Sequence, residues 1–348
     1  MIIFAADLHL RPQIWARRPD IAGDHALAWA SLVRATLARP GASLVLGGDV
    51  FHNTAPSGAV EYLFKKGMDA LLGKGRRVFF IKGNHDDEEV HRASLFGAEQ
   101  LADGEVVDIG GIKVAAVNHT RVNDLAQERL ADAPPCDILV MHTAFRHALG
   151  FADMWQCSEE DVPEQVGMVL AGHIHKHLER GKVLIPGSIC VNGVDEFDPG
   201  DHGYYVVDGG KATWRPLRGR VFLSVEHGDG TAALLDRLGK ARHILPPVVN
   251  IRHSQDEAGA VEDLAAAHPG TRFMLNARRA DLADNLVEEG GHGGLDLEGV
   301  VAKAMDELLA GNQEARGLAA ALITAQDPSG ELGKYLEEKQ HGAKKDSP

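Results

Sequence analysis

The sequence predicts an α/β (α+β) chain: a β-sandwich flanked by helices, followed by a small α/β domain. Two patterns lead there. Through roughly residue 218, short continuous apolar runs alternate with amphipathic helical stretches, the rhythm of helices layered on sheets. Five of those runs also end in a polar cluster, in the order Asp7-Leu8-His9, Gly48-Asp49, Gly83-Asn84-His85-Asp86, His142 and Gly172-His173-Ile174-His175. Runs without polar alternation read as strands covered on both faces, so five strand ends are expected to present these clusters to one shared cleft.

In chain order, Ile2 to Ala6, Ser43 to Leu46 and Val78 to Ile81 are strands, with helices from Asp24 to Ala38 and from Ser57 to Gly73 between them. Ile138 to Met141 and Val166 to Leu170 follow as strands. Past His175 only strand patterns appear (Lys182 to Ile185, Gly203 to Val207, Ala212 to Trp214), and these are expected to complete a second sheet. After the Arg215 to Arg220 turn comes a β-α-β-α-β pattern: Val221 to Val225, Thr231 to Ala241, Val248 to Arg252, Asp256 to Ala267 and Arg272 to Leu275. The expected division is 1–218 for the sandwich, 219–289 for the α/β domain, 290–336 for a helical C-terminal region and 337–348 for a disordered tail. Gly290 to Gly294 is a flexible joint by composition, and Val300, Val301, Ala304, Met305, Leu308 and Leu309 share one helix face.

With 348 residues, 44% of them apolar and 25% charged, the chain has enough apolar material for two globular domains. A formal charge of -14 argues against a protein that coats nucleic acid through its overall field. It leaves room for an enzyme whose bound cations and local basic groups meet phosphate. Arg11, Arg17 and Arg18 after the first cluster, and Lys176, Arg180 and Lys182 after the last, are the candidates for such a basic rim. Cys136, Cys157 and Cys190 are odd in number and lie in no paired spacing, which suggests neither a disulfide framework nor a zinc cage and fits a reducing cytoplasm. The chain opens directly on a strand pattern, and no apolar stretch reaches membrane-spanning length, so neither export nor membrane insertion is expected.

Together the five clusters hold what two adjacent divalent metals need. Two metals about 3.5–4 Å apart clamp a phosphate ester, activate water and stabilise the pentacoordinate transition state. Asp49 is the candidate bridge, because a carboxylate offers two oxygens. Asp7, His9 and His175 would complete one metal's shell, and Asn84, His142 and His173 the other's. Oxygen and nitrogen ligands without thiolate favour Mn(II), Fe(II) or Zn(II) over Mg(II) or Ca(II). His85 is the candidate general acid, with Asp86 fixing its orientation, and His52 is placed to face the phosphate. Each cluster alone is weak evidence, since tripeptides such as Asp-x-His arise by chance. Their joint order, each after a buried strand, is what carries the reading. The remaining histidines, His91, His119 and His177 among them, match no strand-end pattern and are expected to serve packing.

This order of motifs resembles that of the calcineurin-like metallophosphoesterases. Within them, Gly47-Gly48-Asp49-Val50-Phe51-His52 is similar to the form found in SbcD-type DNA nucleases, the nuclease half of double-strand-break repair complexes. Ile185 to Ser188, Asp195-Glu196-Phe197 and Gly203 to Asp208 resemble that group's passage out of the metal core, and Trp214 to Phe222 its approach to a capping domain. The likeness spans about residues 1 to 280, and Arg11 to Asp20 departs from it. It implies a Mn(II)-dependent exonuclease and endonuclease acting on DNA ends and hairpins, with metal ligands at the positions named above, His85 assisting phosphate chemistry and His52 kept at the site. It also implies an SbcC-type ATPase partner and a homodimer, since members commonly dimerise; the Val300 to Leu309 helix would either dock on that partner's coiled coil or pack on its own core. Two other readings stay open: hydrolysis of small phosphoesters at the same metals, and a non-catalytic regulator of an ATPase. The capping domain weighs against the first and the intact ligand set against the second.

Overall fold

The structure, a computed structural model, describes residues 1–277 except 16, 87–89, 147–155, 198–200 and 218. The predicted 290–336 region with its Val300 to Leu309 helix, the 337–348 tail and residues 278–289 lie outside the described residues. The chain begins with β1 (Ile2–Ala5), α1 (Asp24–Leu37), β2 (Ser43–Leu46), α2 (Gly58–Leu72), β3 (Val78–Phe80), the short α3 (Arg92–Leu95), β4 (Glu99–Gln100), β5 (Val106–Asp108) and β6 (Lys113–Val117). It continues through α4 (Asn123–Ala131), β7 (Cys136–His142), β8 (Val166–Gly172), β9 (His177–Arg180), β10 (Val183–Pro186), β11 (Gly203–Asp208) and β12 (Lys211–Pro216). Then follow β13 (Phe222–Glu226), α5 (Thr231–Lys240), β14 (Val248–His253), α6 (Ala258–Ala266) and β15 (Arg272–Ala277).

Two six-stranded sheets, ordered β12-β11-β1-β2-β3-β4 and β5-β6-β7-β8-β10-β9, pack face to face. Strands β1 to β4 run parallel, as do β6, β7, β8 and β10. Side-chain alternation divides the core. Ile2, Phe4, Val45, Phe79, Ile138, Val140 and Leu170 fill the space between the sheets. Their neighbours Ile3, Ala5, Leu44, Leu46, Val78 and Phe80 point the other way, into Trp29, Leu32, Phe64, Met68 and Leu71 of α1 and α2. A parallel strand covered by helices on one face and a sheet on the other has no solvated side, which explains the unbroken apolar runs. Trp29 and Phe64 stack with centroids 5.1 Å apart where α1 crosses α2. Burying one such aromatic stabilises the fold by about 1.5–3 kcal/mol.

One sequence expectation needs correction. β10 joins the second sheet as anticipated, but β11 and β12 extend the first: β11 lies antiparallel to β1, with Ile2 opposite Val207 and Phe4 opposite Tyr205. Because β2 pairs along only one side of β1, the other edge is open, and β11 closes it while burying Tyr205 and Val207 between the sheets. Strands β4, β5, β6 and β9 and helices α3 and α4 had not been anticipated.

β13, β14 and β15 form a separate three-stranded parallel sheet. Val249 and Ile251 face Leu235 of α5 and Val261 of α6. Val248, on the opposite face, joins Phe222, Ile14, Ile21, Val191 and Phe197 in a cluster shared with the sandwich. Trp15 lies edge-on to both Phe197 and Phe222, at 6.0 and 6.4 Å. Beside this cluster Arg220 is clamped in the interior. Its Nε and Nη2 donate to Asp24 at 2.7 and 3.1 Å, and the remaining N–H groups reach the carbonyls of Pro246 and Ala22. Ile14 and Trp15, from the Arg11 to Asp20 segment that departs from the resemblance, and Ile21 just after it thus belong to the seam between the sandwich and the third sheet. The three cysteines are buried and free, and among the described residues no helix is long and apolar enough to cross a membrane.

Candidate metal centre

The carboxyl ends of β1, β2, β3, β7 and β8 meet at one edge of the sandwich, where loops leaving parallel strands form a crevice. The first two loops are knitted together by backbone bonds from Asp7 N to Gly48 O and from His9 N to Asp49 O, at 3.2 and 2.9 Å. Among the described non-glycine residues, positive φ occurs at Asp7 (52°), His9 (41°), Asp49 (51°) and His173 (91°), all four of them candidate ligands. Each such residue costs on the order of 1–3 kcal/mol, and that strain is retained where packing fixes a functional geometry. Gly48, at φ 93°, passes so close to the His142 ring that a methyl group there would overlap it.

The donor atoms converge. His9 Nε2 and His175 Nε2 lie 3.1 Å apart, with Asp7 Oδ1 4.0 and 3.8 Å from them. Asn84 Oδ1 lies 3.0 Å from His142 Nε2 and 2.9 Å from His173 Nδ1. Between these two groups Asp49 Oδ2 sits 3.4 Å from His9 Nε2 and 3.6 Å from His142 Nε2, within reach of both. Supporting bonds orient the ligands. His142 Nδ1 donates to Gly47 O at 2.8 Å, turning Nε2 inward, and His173 N donates to both oxygens of Asp7 at 3.0 Å. The structure therefore brings Asp7, His9, Asp49, Asn84, His142, His173 and His175 into one cleft, grouped as two overlapping sets.

The calcineurin-like phosphoesterase family profile matches residues 1–177, which is 177 of the 348 residues and spans all five clusters. The chain belongs to the calcineurin-like phosphoesterases. No curated protein matches it. As a phosphoesterase of this family it is a metal-dependent hydrolase, and its donor set fits divalent metals: carboxylate, amide and imidazole atoms face one another with too few protons to pair them all.

The electrostatics of the phosphoesterase site agree with that fit. Burial raises the carboxyl of Asp7 to about 7, against the opposing attraction of His175. Burial, reinforced by the Asp86 charge, raises Asp49 to about 6. Burial also depresses His142 and His173 to about 3 and His9 well below its ordinary value, so these rings are neutral and hold lone pairs for a metal. His175 is the exception. Burial would lower it, but the Glu196 hydrogen bond and the nearby Asp7 lift it to about 9.

His85 and His52 stand beside the ligands, their rings stacked at 5.4 Å and both edge-on to His9. The role expected of Asp86 is corrected here. Its carboxylate accepts from Asp49 N at 2.8 Å and Gly83 N at 2.9 Å and lies 3.0 Å from His91 Nε2, so it braces the ligand loops. His85 is oriented instead by the carbonyl of His52, which its Nδ1 meets at 2.8 Å. Neighbours in sequence, His85 and Asp86 thus meet different partners. Two of the proposed rim cations are also committed elsewhere: Arg18 binds Asp20 and Phe273 O, and Lys182 caps the carbonyls of Pro163, Glu164 and Val166. Arg180 sits at the far end of β9, which runs away from His175.

Several supporting residues stand outside the five clusters, Glu196 among them, whose Asp195-Glu196-Phe197 stretch carries the resemblance without naming its partner. Glu196 Oε1 meets His175 Nδ1 at 2.6 Å, and Oε2 accepts from Asn192 N at 2.7 Å. His91 packs as expected, its buried ring stacked on Phe80 at 4.4 Å, and its place against Asp86 also makes it a second brace of the ligand loops. His119 Nδ1 lies 3.3 Å from the carbonyl of His142, and its ring stacks on His173 at 6.0 Å, which supports the ligand rings from behind. His177 stacks on Trp214 at 4.3 Å, a packing role.

Proposed function

We propose that this phosphoesterase is a DNA nuclease of the SbcD type, hydrolysing phosphodiester bonds at DNA ends and hairpins with two Mn(II) ions. The observation that carries the reading is the β13 to β15 unit, fastened to the sandwich through Ile14 and Ile21 after the first metal motif and Val191 and Phe197 after the last. An α/β body fixed at that seam limits which substrates reach the cleft, a use that extended polymers have and small phosphoesters lack. The motif resemblance supports the same choice and adds an SbcC-type ATPase as partner.

Bound metals would supply Lewis-acid activation of the phosphate and of the attacking water, held by Asp7, His9 and His175 on one side, by Asn84, His142 and His173 on the other, and by Asp49 between. The chain's own side chains do the rest. The His52 carbonyl accepts a hydrogen bond from His85 Nδ1–H and fixes the ring, which leaves Nε2 to carry a proton to the leaving oxygen. The Asp49 backbone and Gly83, tethered by Asp86, keep the bridging carboxylate and the Asn84 loop in register.

The test is cleavage of end-labelled duplex and hairpin DNA in Mn(II), beside bis-p-nitrophenyl phosphate and a phosphopeptide, with Asp49→Ala as control. Cleavage of DNA that disappears in the control supports the proposal. Turnover of the small substrates alone would replace it with a small-phosphoester hydrolase.

A further inference from the structure

Arg11 lies two residues past His9, at the start of the segment that departs from the nuclease resemblance. Its half-buried guanidinium reaches the cleft edge: Nη1 is 3.1 Å from His52 Nε2, and Nη2 donates to Asn192 O and Oδ1 at 2.9 and 3.2 Å. Its Nε is buried and meets no acceptor among the described residues. All its described partners are neutral or carbonyl groups, and none is a carboxylate. The Glu196 carboxylate on the same strut is already occupied by His175 and Asn192.

A partly desolvated cation without a paired anion is costly unless an anion completes it. Here the missing anion has an evident source. The His52 ring that Arg11 touches stacks on His85, the residue proposed to protonate the leaving oxygen, so the guanidinium flanks the space that a reacting phosphate would occupy. A guanidinium matches phosphate oxygens with directed N–H groups, which an imidazole alone does not. We infer that Arg11 is a substrate-binding residue that takes a non-bridging oxygen of the scissile phosphate. The inference rests on phosphoester hydrolysis at the cleft and is independent of whether the ester is DNA.

Arg11→Met and Arg11→Lys both keep an unbranched stem, and only the second keeps the charge. With Mn(II)-loaded protein, bis-p-nitrophenyl phosphate hydrolysis and calorimetric titration with inorganic phosphate separate them. Arg11→Met is expected to lose about ten- to hundredfold in kcat/KM and to weaken phosphate binding by about tenfold, as for loss of a charged hydrogen bond. Arg11→Lys is expected to stay within about fivefold on both, and manganese content is expected to match the native protein in each variant. Should Arg11→Met fail to fold, Arg11→Gln takes its place. Unchanged phosphate affinity in the uncharged variant overturns the inference, as does an equal loss in the lysine and methionine variants, which would leave Arg11 a prop for His52 and Asn192. If the native protein cleaves the nitrophenyl diester and leaves DNA intact, the nuclease proposal fails while this comparison still decides the role of Arg11.

Discussion

Glu196 holds His175 through a 2.6 Å hydrogen bond to Nδ1, and this carboxylate, 21 residues further along the chain, decides which nitrogen the imidazole turns to the metal cleft. A carboxylate behind a ligand histidine fixes its tautomer and raises its basicity, and its loss typically weakens metal binding about 10–100-fold. Glu196→Gln is therefore expected to lower Mn(II) affinity by that factor while leaving the fold intact, read by metal titration and circular dichroism. Unchanged affinity would reduce Glu196 to a structural bond with Asn192.

The same pair sets a pH dependence in the metal-free protein. His175 is raised to about 9 from an unfolded value near 6.5, so its bound proton stabilises the fold fully below pH 6.5, and this contribution is lost as pH rises through 9. Asp7 and Asp49, raised to about 7 and 6, act in the same sense at lower pH, where His142 and His173, depressed to about 3, oppose them. Between pH 7 and 9 His175 is left to dominate this group. The expected result is a melting temperature of the apo protein that falls over that interval, and an Mn(II) affinity that climbs as His175 gives up its proton. Glu196→Gln should flatten both slopes, and a flat apo profile in the native protein would contradict the assignment.

His85 and Asp86 are neighbours in sequence with separate tasks, and substitutions should part them. His85→Ala removes the proton donor without touching a ligand, so turnover should fall about 10²–10⁴-fold with metal content unchanged. Asp86→Ala strands the buried N–H groups of Asp49 and Gly83, a loss of about 1–3 kcal/mol for each unpaired group. Its expected signature is a lower urea midpoint together with loss of metal. If Asp86→Ala instead kept native stability and lost only turnover, the carboxylate would belong to the proton transfer after all.

These contrasts show which parts of the molecule were legible in the sequence. The ligands could be read because each stands at the end of a strand buried on both faces, so an apolar run and a polar cluster lie next to each other in the chain. The alternation of strands and helices after Phe222 was legible for the same local reason. The partners of Glu196 and Arg11 were not legible: the His175–Glu196 and Arg11–Asn192 contacts join residues 21 and 181 positions apart, and no spacing rule links them. The transfer of β11 and β12 to the first sheet was hidden because an apolar strand fits either inner face, and only the free edge of β1 decides between them. β6 reads Lys-Val-Ala-Ala-Val, too rich in alanine to mark itself as a strand by propensity, and its place beside β7 is set by packing.

The buried pair Arg220 and Asp24 offers the sharpest test of how the third sheet is held to the sandwich. Both side chains are 1% exposed, and Arg220 also satisfies the carbonyls of Pro246 and Ala22, so each partner is the other's compensation for lost water. Removing one alone, as in Arg220→Met or Asp24→Leu, leaves an uncompensated buried charge and is expected to cost about 3–5 kcal/mol in urea unfolding. The double variant removes both charges and should recover much of that loss, since the surrounding Ile21, Val248 and Phe222 cluster is apolar. Limited proteolysis adds a local reading: cleavage between Trp214 and Phe222 should accelerate in the single variants and slow again in the double. Additive losses in the double variant would mean that the two residues act independently, and the seam would then owe its fixity to the Trp15, Phe197 and Phe222 aromatic contacts.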